Sequence, residues 1–161
     1  MIRAVVLSGE SVAALAHTLA DLVPGAVEGV VKRVVVAAPA DASEAFFEVS
    51  DDAGAKFERL EGAFGARAAA ACAGADWLMV LEGGVRLPAN WHAAVSDHVR
   101  RKPEQAAFIE GEKGRLLSGR PLLAVVVPAA LYAAAGGFTP SDLGLKPLRR
   151  RLERSGRSVR L

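Results

Sequence analysis

Short apolar runs alternate with helix-forming stretches from one end of this chain to the other. Strands are predicted where the runs are β-branched or alternate with polar residues, at 5–7, 30–36, 57–60, 77–81, 106–109, 122–127 and 158–160. Helices are predicted at 12–22, 42–49, 68–75, 88–101, 128–135 and 147–154. The alternation predicts a single three-layer α/β/α domain over residues 1–161, with a mostly parallel sheet.

Individual residues set the expected ends of several elements. Ser11 is expected to cap the first helix, and Pro24 with the glycine that follows it is expected to end that helix. Lys32-Arg33 should interrupt the second strand, and Pro88 should begin a helix. The polar stretch at 110–119 predicts a loop.

The most informative stretch lies in the middle of the chain. Residues 68–75 are all small, so this helix can lie close to a sheet. The apolar run at 77–81 predicts a central strand buried on both faces, and Gly83-Gly84 predict a turn after it. Glu82 therefore falls at the carboxyl end of the strand, where open α/β sheets bind their ligands.

Composition excludes several classes of protein. A chain that is 52% hydrophobic and 24% charged is globular rather than disordered. One cysteine cannot form an intramolecular disulfide framework, and Cys72 is expected to be a buried core thiol. The three histidines are scattered without cysteine partners, which argues against a structural zinc site.

The start of the chain and the longest uncharged run in it indicate where in the cell the protein is located. The first residues enter a strand directly, without the pattern of a signal peptide, so a cytoplasmic protein is expected. The uncharged run that begins at residue 121 contains Pro128 and the Gly136-Gly137 pair. A buried strand followed by a packed helix fits this run better than a membrane span.

The net charge of +2 hides a strong asymmetry. Seven basic residues and one acid lie within 146–161, so this segment carries +6 and the remaining residues carry −4. The basic segment is either a solvated helix face or a contact for an anionic membrane surface at the inner face of the membrane. No aromatic residues are interleaved with its arginines, which argues against nucleic acid as the partner.

The central stretch resembles glycosyltransferase family 2, whose members have the GT-A fold. The matching residues are Arg67, Asp76, Trp77, Leu78, Leu81, Pro88 and Trp91. Farther along, Gly136-Gly137-Phe138, Asp142-Leu143, Arg151-Leu152, Gly156 and Val159 follow the family pattern in order. The two tryptophans match family aromatics, and both are expected in the core.

The resemblance implies a GT-A-like fold and transfer of a sugar from a nucleotide-sugar donor to a hydroxyl acceptor, assisted by Mg²⁺ or Mn²⁺. This chain departs from the family pattern at the positions that bind the metal and the nucleotide and beside the general base. The metal-binding Asp-x-Asp is replaced by Glu82-Gly83-Gly84, and no acid ends the second strand. Ser141 and Gly144 replace two acids beside the family's general base.

Asp142 falls at the position of that general base, so the resemblance implies that it takes the proton from the acceptor hydroxyl. The alternative is a helix N-cap, a common role of aspartate. Glu82 is the only carboxylate left at the metal position, where one glutamate can suffice if the donor diphosphate supplies the other ligands. Its alternative is a solvent-facing glutamate, or one paired with Arg86.

Arg67 begins the small-residue helix, where the family arginine approaches the donor, so contact with the diphosphate is implied. An ion pair with Glu61 or Asp76 is the alternative.

Two hypotheses follow for the whole chain: an active family 2-like transferase, or a relative with weakened or lost catalysis that binds a ligand or partner. The missing acids favour the second.

Overall fold

The computed structural model describes residues 2–113 and 119–161. Its strands are β1 (Ile2–Leu7), β2 (Val31–Pro39), β3 (Lys56–Leu60), β4 (Trp77–Glu82), β5 (Ala106–Glu110), β6 (Leu122–Pro128) and β7 (Ser158–Arg160). Its helices are α1 (Val12–Val27), α2 (Glu44–Asp52), α3 (Phe64–Cys72), α4 (Trp91–Arg101), α5 (Ala129–Ala134) and α6 (Lys146–Arg154). The predicted loop at 110–119 falls in part on 114–118, which lie outside the described residues.

The strands form one mixed sheet in the order β3-β2-β1-β4-β6-β5-β7. Strands β1 to β4 run parallel to one another, β6 is antiparallel to both of its neighbours, and β7 is parallel to β5. Six of these seven strands therefore share one direction. The predicted mostly parallel sheet is confirmed, and β4 lies at its centre.

Helices cover both faces of the sheet, which gives the predicted three layers. One core cluster joins α1, α2 and α4 to the sheet, and a second joins α3, α5 and α6 to the opposite face. Alternate residues of β4 enter the two clusters: Met79 and Leu81 one, Leu78 and Val80 the other. Burial on both faces explains why this strand has no alternation of polar and apolar residues.

Several predicted element ends were wrong. Helix α1 continues through Pro24 to Val27, because Pro24 is exposed and water can satisfy the carbonyl that a proline leaves unpaired. Lys32 and its neighbour lie within β2 and do not interrupt it. Helix α4 begins at Trp91, and Pro88 accepts the Trp91 amide in a turn that precedes the helix.

Candidate functional site at the carboxyl edge of the sheet

The loops that follow β1 and β4 meet at the carboxyl edge of the sheet. The Gly83 amide donates to the Leu7 carbonyl over 2.8 Å, and a methyl group at Gly83 would lie 3.3 Å from the Gly9 nitrogen. Between β1 and β4 the strand order reverses, and open α/β sheets bind ligands at such a switch point. The two glycine-containing loops therefore form the floor of the candidate site.

Thr18 of α1 holds the loop that follows β4. Its hydroxyl accepts the Gly84 amide over 2.8 Å and donates to the Val85 carbonyl over 2.8 Å. The Thr18 side chain is fully buried, so its hydroxyl relies on these protein partners rather than on water. The position of the Glu82-Gly83-Gly84 segment thus depends on a residue of the first helix.

Asp21 holds the same loop one helical turn later. Its carboxylate accepts the Leu87 amide over 3.0 Å and two Arg86 hydrogen bonds over 2.8 and 3.1 Å. The Arg86 hydrogen bond lowers the pKa of Asp21 below its usual value. Arg86 is therefore the partner of Asp21, and the considered pairing with Glu82 was wrong. Sequence reasoning missed both Thr18 and Asp21, since their partners lie more than 60 positions away.

Glu82 lies at the carboxyl end of β4, as predicted, and its side chain is exposed. It lines a cleft of about 560 Å³ that opens between this strand end and the segment 143–150. Glu82 Oε1 would lie 3.3 Å from a methyl group at Gly144, so the segment passes directly beside the carboxylate. Glu82 is the only acid that lines this cleft among the described residues.

Asp142 belongs to the same chain segment, but its carboxylate is turned into the protein. Its oxygens bind the Arg151 guanidinium at 2.5 and 3.2 Å, and they accept the Thr139 amide over 2.9 Å. Only 4% of the residue is exposed. The Arg151 hydrogen bond holds the pKa of Asp142 below its usual value, although burial acts in the opposite direction.

The alternative prediction, that Asp142 caps the following helix, was wrong. The N-cap residue of α6 is Leu145, which has no side-chain oxygen. The Asp142 backbone instead contacts α3, since its carbonyl accepts the Gly65 amide over 3.0 Å. A methyl group at Gly65 would lie 1.8 Å from the Thr139 oxygen, so segment 139–142 packs directly against the first turn of α3.

Arg67 is half-buried on that first turn. Its Nη1 donates to the Gly62 carbonyl over 2.9 Å, and its buried Nε has no hydrogen-bond partner among the described residues. The ion pair with Glu61 or Asp76, which was the alternative for Arg67, is absent from the described part of the chain. No hydrogen bond or ion pair joins Arg67, Glu82 and Asp142 to one another among the described residues. The segment that contains Asp142 contacts α3 at Gly65 and passes beside Glu82 at Gly144.

A divalent cation would have Glu82 as its protein ligand here. Within residues 2–113 and 119–161, no three His, Cys, Asp or Glu side chains are grouped in a way that could hold a metal ion. One carboxylate fits Mg²⁺ or Mn²⁺ only if phosphate oxygens of a bound ligand complete the coordination.

The arginines of α6 differ in their surroundings. Arg149 and Arg151 do not belong to a solvated helix face, because both are mostly buried and ion-paired. Arg149 binds Glu110 at 2.7 Å and Glu153 at 2.8 Å, and its guanidinium stacks over the Phe108 ring. The exposed basic residues of this segment are Lys146, Arg150, Arg154, Arg157 and Arg160.

The remaining expectations concern the core. Cys72 is buried, and desolvation raises the pKa of its thiol to about 12, so it is an unreactive core residue. Trp77 and Trp91 are also buried, as predicted. No described helix is long and apolar enough to span a membrane, and the uncharged run forms β6 and α5.

Comparison with known proteins yields no family model and no curated protein that matches the chain. Solved structures do match. TarS residues 1–349 from S. aureus align with a TM-score of 0.69 at 12% identity, over 100% of this chain and 58% of that one. The present chain therefore spans little more than half of that transferase fragment.

Two further structures match over nearly the whole chain. Glucosyl-3-phosphoglycerate synthase from Mycobacterium tuberculosis, in complex with Mn²⁺, UDP and glucosyl-3-phosphoglycerate, aligns with a TM-score of 0.65 at 14% identity, over 98% of this chain and 68% of that one. The 4-diphosphocytidyl-2C-methyl-D-erythritol synthase of Anaerococcus prevotii gives 0.68 at 10% identity, over 99% and 88%. At such identities the likeness concerns the fold, and the predicted fold is confirmed: this chain has the GT-A-like α/β fold of nucleotide-sugar transferases.

Proposed function

We propose that this chain is a GT-A-type domain that binds a nucleotide sugar at the carboxyl edge of its sheet, with weakened or lost sugar transfer. The observation that carries the proposal is the state of Asp142. Its carboxylate is buried, ion-paired with Arg151 and bonded to the Thr139 amide. A general base must reach the acceptor hydroxyl and have enough proton affinity to take its proton. Burial and the lowered pKa of Asp142 argue against both abilities.

Donor binding does not require that base. TarS has been solved with UDP-GlcNAc on the same fold, which supports a nucleotide-sugar ligand here. We assign donor contact to Arg67, on the first turn of α3, and to Glu82, at the carboxyl end of β4. Mg²⁺ or Mn²⁺ would neutralise the diphosphate while held by Glu82 and the phosphate oxygens. With a single protein carboxylate, the affinity should depend only slightly on the metal.

Thermal shift with UDP-, GDP- and dTDP-sugars, each with and without Mn²⁺, tests the binding. We expect one nucleotide to stabilise the fold, by about 2.7 kcal/mol at ~100 times its dissociation constant. Glu82→Gln should remove the small Mn²⁺ dependence and keep most of the binding. Glu48→Gln, an exposed glutamate on α2, serves as the matched control and should change neither.

Transfer is tested by release of the free nucleotide from the best ligand. We expect release at the rate of the uncatalysed reaction. Tight, strictly Mn²⁺-dependent binding, or release that Asp142→Asn abolishes without unfolding the protein, would show instead that the chain is an active transferase.

A second candidate function is binding to an anionic surface without chemistry. The basic segment 146–161 favours it, since its arginines Arg150, Arg154, Arg157 and Arg160 are exposed. An anionic membrane carrying lipid-linked glycans would be a suitable partner, and vesicle binding tests this proposal.

A further inference from the structure

The cleft beside Glu82 continues into a second cavity. This cavity, of about 670 Å³, shares Lys146, Arg150 and the Pro121-Leu122 pair with the first. The start of β6 forms one wall of the joined cleft and the first two turns of α6 form the other. Its size suits a small molecule as large as a sugar phosphate.

The α6 wall carries two cations that have no ion-pair partner. Lys146 and Arg150 are four residues apart, on one face of the helix, and both are exposed. In the described part of the chain no carboxylate lies within 4.0 Å of either, whereas Arg149 and Arg151 are neutralised by buried acids. The charge that α6 presents to the cleft therefore comes from Lys146 and Arg150.

Other groups along the cleft add to this positive charge. Arg120 lines the second cavity and is exposed. Of the two acids in the second cavity, Glu153 binds Arg149 at 2.8 Å. Glu112 there and Glu82 in the first cavity are the remaining counter-charges in the described lining, against Arg120, Lys146 and Arg150. The net charge of the lining is positive.

The start of α6 is itself electrostatically unfavourable. A helix prefers an acid in its first turn, but α6 has none there and begins with Lys146. Its N-cap residue Leu145 offers no side-chain acceptor. An anion bound to Lys146 would offset this cost, because it supplies the negative charge that the first turn lacks.

We propose that this cleft binds a small phosphate ester, with Lys146 and Arg150 on the phosphate. The remainder of the ester lies along the apolar wall formed by Leu122, Leu143 and Pro147 and extends toward Glu82. The placement of this ester beside a nucleotide sugar rests on the proposed function, whereas the phosphate site itself does not. The same chemistry is present in a soluble sugar phosphate and in a phospholipid headgroup.

Calorimetry with glucose 6-phosphate, and with glucose as the neutral probe, tests the site. We expect the phosphate ester to bind and glucose not to bind. The double variant Lys146→Gln/Arg150→Gln should lose at least about tenfold in affinity and keep its stability, because both residues are exposed. Arg154→Gln is the matched control: an exposed arginine on the same helix, outside the cleft lining, that should retain full affinity.

Phosphatidylglycerol vesicles form the second arm of the experiment. If vesicles bind through Lys146 and Arg150 and glucose 6-phosphate does not, the site is confirmed with a lipid headgroup as its source of phosphate. Absence of both kinds of binding overturns the site. So does a loss of glucose 6-phosphate affinity in Arg154→Gln as large as that in the double variant, which would reveal general attraction to basic residues.

The two proposals fail separately. If glucose 6-phosphate binds and no nucleotide sugar stabilises the protein, the proposed function is wrong and the phosphate site stands. If a nucleotide sugar binds and neither phosphate probe does, only the phosphate site is wrong.

Discussion

Asp142 is the residue at which the family pattern and the structure lead to different roles. The pattern implies a base, whereas the structure gives it three polar contacts in a nearly closed environment. Arg151 also donates to the Gly137 carbonyl over 2.7 Å, so the ion pair connects α6 to the segment before it. The pair therefore holds together the part of the chain that forms the cleft wall.

Asp142→Ala should destabilise the fold by about 2–3 kcal/mol, because it leaves the partly buried Arg151 and the Thr139 amide without a partner. Urea unfolding measures the change. Asp41→Ala removes an exposed carboxylate and should cost less than about 0.5 kcal/mol. If the two variants were equally stable, Asp142 would have no structural role and its carboxylate would be free for catalysis.

The same pair predicts a pH dependence. The pKa of Asp142 is lower in the folded state than in the unfolded state, so its contribution is present above the unfolded value of about 4 and is lost as the pH falls through the folded value. Wild type should therefore lose more stability than Asp142→Ala as the pH falls below about 5. Parallel stability curves for the two proteins would contradict this.

At the scale of elements, two contacts between distant segments shape the site. Helix α1 holds the loop after β4 through Thr18 and Asp21, and segment 139–142 packs against the first turn of α3. Each contact joins pieces of chain that no local pattern connects.

Thr18→Val should destabilise the protein by about 1–3 kcal/mol, since the Gly84 amide and the Val85 carbonyl lose their buried partner. Amide exchange at Gly84 should also become faster, because the loop is no longer held on α1. Thr18→Ser keeps the hydroxyl and is the control. Equal exchange rates in the valine and serine variants would show that the hydroxyl does not hold the loop.

Gly65→Ala should cost about 3 kcal/mol or more, because the new methyl group would overlap the Thr139 backbone oxygen and separate segment 139–142 from α3. Thermal unfolding is the measurement. Gly119→Ala adds the same methyl group where no atom of the described residues lies within 4 Å, and it should leave stability nearly unchanged. A stable Gly65→Ala variant would mean that the segment does not pack there in solution.

Across the whole molecule, charge is divided between a negative body and a positive end. Residues 146–161 carry +6 and the rest carries −4. Because Arg149 and Arg151 are used in buried ion pairs, fewer of these charges face solvent than the sequence suggests. The exposed remainder extends along α6 and β7.

We expect weak binding to anionic vesicles at low salt, at ~1 kcal/mol per basic residue near the surface, and release within the ordinary salt range. Co-sedimentation with neutral and anionic vesicles measures it. Arg154→Gln/Arg157→Gln should release at lower salt than Arg100→Gln/Arg101→Gln, which removes the same charge from α4. Identical behaviour of the two variants, or equal binding to neutral vesicles, would leave the basic end as a solvated surface.

The sequence by itself determined the elements, the central strand and the fold class. The apolar run at 77–81 and the small residues before it are local signals, and local periodicity is set by which faces of a strand or helix are buried. Element ends were less well determined. The helix predicted at 68–75 occupies Phe64–Cys72, because packing of segment 139–142 fixes where its first turn begins.

Only the tertiary structure decided what the candidate site residues contact. Glu82 was predicted correctly at a strand end, since that position follows from the strand alone. The partners of Arg67, Asp142 and the α6 arginines could not be predicted, because a charged side chain pairs with whatever the fold brings within about 4 Å. Some of these neighbours are distant in the chain, as Glu110 is from Arg149, and others are near, as Arg151 is to Asp142. In both cases the fold decides which side chains meet, and so whether an acid remains free for chemistry or closes an ion pair.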